Sequence, residues 1–303
     1  MKSRVSSRGK SKKAISSITI SSLLFATAIV LKVLANLIPF LNFPNGGTVS
    51  FVLVPLVLIG LFCGPIWGLV LCTAFGGIDI FLGGGMGYHW LSLLLDYFVA
   101  YGLVGLTGFF SKLFYQKRSW VPIVAVTIGG LLQFLGSFFS GIIVWTSAFD
   151  ATGVITPDFS LEAITFSITY NGGYMLPSVA LCVVVMAMIL KPLYALFDLP
   201  VVKALAPEEK VKHFELPSFY SLFPIYVFVN IAFFLVALDK RISMPFMAFL
   251  SLFFSALIIV IASILYARKK EEMDTRRQLV TLLTILISSV LVLVSIPLIV
   301  NSF

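Results

Sequence analysis

The chain has 303 residues, of which 59% are apolar and only 11% charged, whereas a water-soluble domain carries about 25% charged residues. Its formal net charge is +8, but the basic residues sit between long apolar runs, which favours topology and anionic lipid over nucleic acid as their purpose. Stretches of about 20 apolar residues recur without the alternating pattern of a barrel, so an all-α polytopic membrane protein is expected.

In chain order, the apolar runs predict spans at 15–38, 49–63, 66–83, 90–113, 121–146, 163–190, 217–238, 244–267 and 279–301. The second is short and reads as a tilted or partly buried helix. A basic arm, 1–14, precedes the first span, which is too long for a cleaved signal. The one long interior segment of mixed polarity, 191–216, is rich in Pro and charge. It divides a six-span unit, 15–190, from a three-span unit, 217–303, for which the sequence suggests no role. Nine crossings place the two termini on opposite sides.

Orientation follows from Lys and Arg. Eighteen of the 21 lie in the N-terminal arm and in the 112–118, 191–212 and 268–277 connections, all on one side of this topology. That side is the cytoplasm, so the C-terminus is extracellular and the protein belongs in the cell membrane. Cys63, Cys72 and Cys182 lack C-x-x-C spacing, and only His89 and His213 are present, so neither a metal site nor a cofactor is expected. Gly83-Gly84-Gly85 is not followed by Lys and Ser/Thr, and no phosphate-binding loop occurs elsewhere, so ATP-driven work needs a separate ATPase.

Asp96 carries the most information. It interrupts the apolar run that starts at Trp90, about six residues or ~9 Å below the outer end. A carboxylate at the middle of a membrane helix costs about 2.5–3.5 kcal/mol, so it faces protein, a cavity or a cation. With no basic residue expected at matching depth, the cation would be a ligand. Asp79, His89, Trp145, Tyr170, Asn171 and Tyr174 fall near the same outer depth on other spans. Acid, amide and aromatic faces together suit a cationic ring. Taken singly, Trp145, Tyr170 and Tyr174 fit an interfacial aromatic belt, Asn171 fits helix–helix contact, and Asp79 fits an outer edge reaching water.

Four stretches carry a family resemblance: Gly46-Gly47-Thr48-Val49-Ser50 with Pro55; His89 through Asp96-Tyr97 to Gly108; Gly129-Gly130 with Gln133-Phe134, Ser140-Gly141 and Trp145; and Tyr170-Asn171-Gly172-Gly173-Tyr174-Met175-Leu176-Pro177. Over 15–190 the chain resembles the substrate-binding S-component of energy-coupling factor transporters, most closely the thiamine-specific type. The resemblance implies a six-helix vitamin binder whose outward pocket is capped by the loop after helix one. It implies docking on a transmembrane coupling subunit that carries two cytoplasmic ATPase subunits. It gives Asp96 the role of acidic ligand residue beside Tyr97, Trp145 that of the stacking ring, and Asn171 that of the pocket amide. Ser22-x-x-x-Ala26 stands where the family has its docking pattern of small residues. Ser137 replaces a His, Gln133 an Arg and Phe166 a Tyr, and Asp79 stands where an uncharged amide is expected, so the pocket's hydrogen-bonding edge differs.

The function expected is therefore non-enzymatic: binding of thiamine or a related cationic heterocycle for ATP-driven uptake. The alternatives are an ion-coupled secondary transporter using Asp96 as a protonatable site, and an intramembrane enzyme using Asp79 and Asp96 as an aspartyl pair.

Overall fold

The computed structural model describes residues 2–206 apart from 85–86, 88, 147 and 150–154, together with 255, 259–260, 263–264 and 284–290. The expected span 217–238 lies outside the described residues, and 244–267 and 279–301 lie largely outside them.

Six helices build the described unit: α1 (Lys2–Asn36), α2 (Leu53–Cys63), α3 (Pro65–Asp79), α4 (Trp90–Phe114), α5 (Trp120–Trp145) and α6 (Leu161–Ala195). All except α2 belong to helices long and apolar enough to cross a bilayer. The chain is an all-α polytopic membrane protein, with one two-residue ladder pairing Ala148–Phe149 with Ile155–Thr156.

The short second span is the centre of the bundle. α2 has 11 residues, about 16 Å of helix at 1.5 Å per residue against a hydrocarbon thickness of ~30 Å. Every residue from Leu53 to Phe62 is buried, because α1, α3, α4 and α5 pack around it. An all-round apolar helix is what such a position requires. Gly64 turns the chain between α2 and α3 at φ 90°, a conformation that side-chain-bearing residues rarely adopt. At that end Phe62 packs with Phe114 and Phe197 in a cluster of edge-on rings.

Helices α3 and α4 approach unusually closely. A Cβ built on Gly76 would lie 2.0 Å from the Tyr97 carbonyl oxygen, so only glycine allows this contact. The same helices carry wide π turns, Ile80–Gly84 directly after Asp79 and Leu94–Val99 around Asp96, and α5 ends in a third, Gly141–Trp145. Such turns re-aim side chains and are common at functional sites. Here they flank the three side chains Asp79, Asp96 and Trp145.

Candidate binding site

Two of these turns, Leu94–Val99 and Gly141–Trp145, border a cavity of ≈ 90 Å³, and Asp79, the residue before the third, lines it as well. Its walls come from all six helices, with Leu53 at the start of α2 among them, and the loop after α1 contributes Gly46, Gly47 and Thr48. That loop is held in place from α6. The Tyr170 hydroxyl donates to the Pro44 carbonyl and accepts from the Gly47 N–H at 3.4 Å, and Ser178 Oγ accepts from the Ser50 N–H at 3.1 Å.

Asp96 opens into the cavity from α4. One carboxylate oxygen, Oδ2, accepts from Ser140 Oγ at 2.7 Å and from Trp145 Nε1 at 3.0 Å. Both donors are on α5, so the acid is steered by a neighbouring helix. Trp145 is half-buried and lines the same cavity.

Asn171 and Tyr174 line the cavity from α6. Asn171 Nδ2 donates to the Ser137 carbonyl at 3.2 Å and to the Ser167 carbonyl at 3.0 Å, while its Oδ1 accepts from the Tyr174 hydroxyl at 3.1 Å. Both amide hydrogens therefore serve backbone, and a spare lone pair on Oδ1 is what remains for a ligand. The amide joins α6 to α5 and also lines the cavity. Tyr97, Ser137 and Phe166 line the cavity too, with Phe166 stacked on Tyr170 at a centroid distance of 6.0 Å.

His89 is placed differently. It caps α4, its Nδ1 accepting from the Leu91 N–H at 3.2 Å, and it is not among the residues lining the cavity. Neither Ser22 nor Ala26 lines the cavity; both are exposed on α1.

Asp79 corrects the sequence expectation. It is not an edge residue reaching water: its side chain is 2% exposed and pairs with Lys32 of α1 at 3.2 Å. Tyr101 donates to its other oxygen at 2.8 Å. The expectation that no basic residue shares this depth is likewise overturned, because Lys32 lines the same cavity as Asp96. A lone Lys in an apolar span costs about as much as a lone Asp and finds a partner for the same reason; that rule, applied to Lys32, would have found the pair. Burial of such a pair is tolerable only with both members present. Asp79 and Asp96 thus have separate partners, unlike an aspartyl dyad sharing one proton. Ser140 and Tyr101 also escaped the sequence reading as site residues.

Among the described residues, Lys32, Asp79 and Asp96 are the formally charged side chains lining the cavity. With the first two paired, one negative charge is left over. That balance suits a ligand carrying a single positive charge.

Every lining residue falls between Lys32 and Val179. Residues 18–198 match the family model described as thiamine transporter protein (Thia_YuaJ). The chain is also similar to the thiamine transporter ThiT of Bacillus subtilis (strain 168), at 32% identity over 176 residues, covering 55% of this chain and 86% of that relative.

Proposed function

Because this chain belongs to the thiamine transporter protein family, we propose that it binds thiamine from the extracellular side and delivers it inward as the S-component of an energy-coupling factor transporter. The observation that carries the binding half is the Asp96–Trp145 pair on the cavity wall. A carboxylate beside an aromatic ring face attracts an organic cation by charge and by the ring's quadrupole. The surplus of one negative charge in the cavity matches the thiazolium of thiamine. The loop held by Tyr170 over the cavity supports entry from its side of the membrane, which the basic-loop bias makes the exterior.

The delivery half rests on the sequence. No phosphate-binding loop is present, so ATP must be hydrolysed by other subunits, reached through a transmembrane coupling partner. The exposed Ser22 and Ala26 of α1 suit close contact with another helix, since small residues let backbones approach within a membrane.

The test is direct titration of the full chain in detergent, without ATP or an ion gradient. Stoichiometric thiamine binding with quenching of Trp fluorescence is expected. Failure to bind, or transport by the reconstituted chain alone down an ion gradient, would reject this function.

A further inference from the structure

The described residues of the C-terminal unit fall into two groups that are packed differently. Ser255, Ile259, Val260, Ser263 and Ile264 are helical, and none of them is exposed. At four-residue spacing Ser255, Ile259 and Ser263 follow one stripe of a helix, and Val260 with Ile264 follows the next. Ile259, fully buried, and Val260 belong to the same apolar core as Leu61 of α2 and Met186 and Leu190 of α6, and Ile264 packs against that core. Within the helical residues 284–290, by contrast, Thr284 and Ser288 are buried while Leu286, Ile287 and Val290 are exposed. One narrow polar stripe is covered there, and the large apolar side chains face outward.

The chain leaves the bundle for this unit on its basic side. After α6, Phe197, Val202 and Leu205 are buried, and the short helix Pro200–Lys203 packs against α1. The bundle thus holds the connection as far as Leu205. Ile264 belongs to the same side of the membrane, because the basic run Arg268-Lys269-Lys270 follows it closely in sequence.

We propose that the C-terminal unit docks in cis on the six-helix bundle. Residues 244–267 supply the contact helix, seated on the cytoplasmic half of the bundle, and residues 279–301 form an outer layer toward lipid. The occupant of this seat is the chain's own segment and not a second copy, because Ile259 and Val260 are buried within a single chain. Lipid tails are as apolar as Ile259, so the contact draws on close packing, which small residues such as Ser255 and Ser263 permit. The seat leaves Ser22 and Ala26 of α1 exposed. The unit is therefore a built-in brace of the bundle on a flank other than that small-residue stripe.

The test cuts the connection and asks whether the two parts stay together. A site-specific protease sequence is inserted within 207–216 of the full chain, which carries an affinity tag at its N-terminus. The purified protein is cleaved in a large excess of detergent micelles, recaptured by the tag and sized by light scattering. The C-terminal fragment should remain with the tagged fragment almost completely, at the mass of one chain. Loss of the C-terminal fragment from the wild-type protein would overturn the proposal. Retention only at the mass of two chains would overturn it as well, in favour of exchange between copies. Ile259→Trp, which overpacks the seat, should release the fragment, whereas Leu286→Trp, on the outer layer, should not. Equal behaviour of those two variants would overturn the assignment of contact helix and outer layer. The wild-type cleavage needs no substitution, so it decides even if Ile259→Trp does not fold.

Discussion

The indole N–H of Trp145 donates to the carboxylate of Asp96, with Nε1 3.0 Å from Oδ2. Ring and acid are therefore fixed relative to each other before any ligand arrives. The Trp145 end of α5 and the Asp96 turn of α4 are both π segments, and Ser140 one turn earlier on α5 holds the same oxygen. Preorganisation of this kind lowers the cost of ordering the site on binding.

Trp145→Ala should weaken thiamine binding by about 1–3 kcal/mol, as loss of an aromatic anchor or a desolvated cation–π contact does. Trp145→Phe keeps a ring face but frees Asp96, so it should fall between. Calorimetric affinities at wild-type level for both variants would take Trp145 out of the site.

Asp96→Asn preserves shape and deletes the charge. Binding of cationic ligands should fall by about 2–5 kcal/mol, the range for a desolvated charge pair, while neutral isosteric analogues lose far less. Competition titrations with matched charged and neutral analogues decide this. Equal losses would show that Asp96 serves structure instead.

Breaking the Lys32–Asp79 pair from either side should destabilise the fold. Lys32→Met or Asp79→Asn leaves the partner charge buried at 5% or less exposure, which costs about 3–5 kcal/mol. Replacing both by apolar residues should recover much of that loss. Unfolding midpoints in detergent for the two single variants and the double variant form the cycle; additive effects would mean the pair is not coupled.

Gly76→Ala should push α3 from α4, because the added methyl meets the Tyr97 carbonyl at 2.0 Å. Overpacking of this kind costs about 1–3 kcal/mol, and ligand affinity should fall with it, since Asp96 precedes Tyr97. The neighbouring Gly77→Ala meets side-chain atoms of Phe98 at 3.2 Å, so the ring can yield and the effect should be smaller. Thermal unfolding and thiamine affinity of the two variants, measured side by side, check the order.

Ser22→Trp and Ala26→Trp should abolish uptake by cells while detergent-measured thiamine affinity stays near wild type. Both side chains face away from the bundle on α1, and bulk there keeps another helix at a distance. Normal uptake by both variants would move the docking surface elsewhere.

The sequence by itself determined that this chain lives in a membrane as a set of apolar helices, because segment length and hydropathy act locally and need no partner. It also marked α2 as anomalous by length, and it singled out Asp96 because an acid in lipid is costly wherever the helices go. The tertiary structure decided which polar groups meet. Asp79 looked like an edge residue by its place along α3, and only packing of α1 against α3 set Lys32 on it and removed both from water. His89 and Tyr170 are equally aromatic and polar in sequence, yet one ends up capping its own helix while the other holds a loop more than 120 positions away. Depth in a membrane is a one-dimensional quantity that sequence can count; rotation of each helix about its axis is fixed by close contacts such as Gly76 with Tyr97, and those depend on the whole bundle.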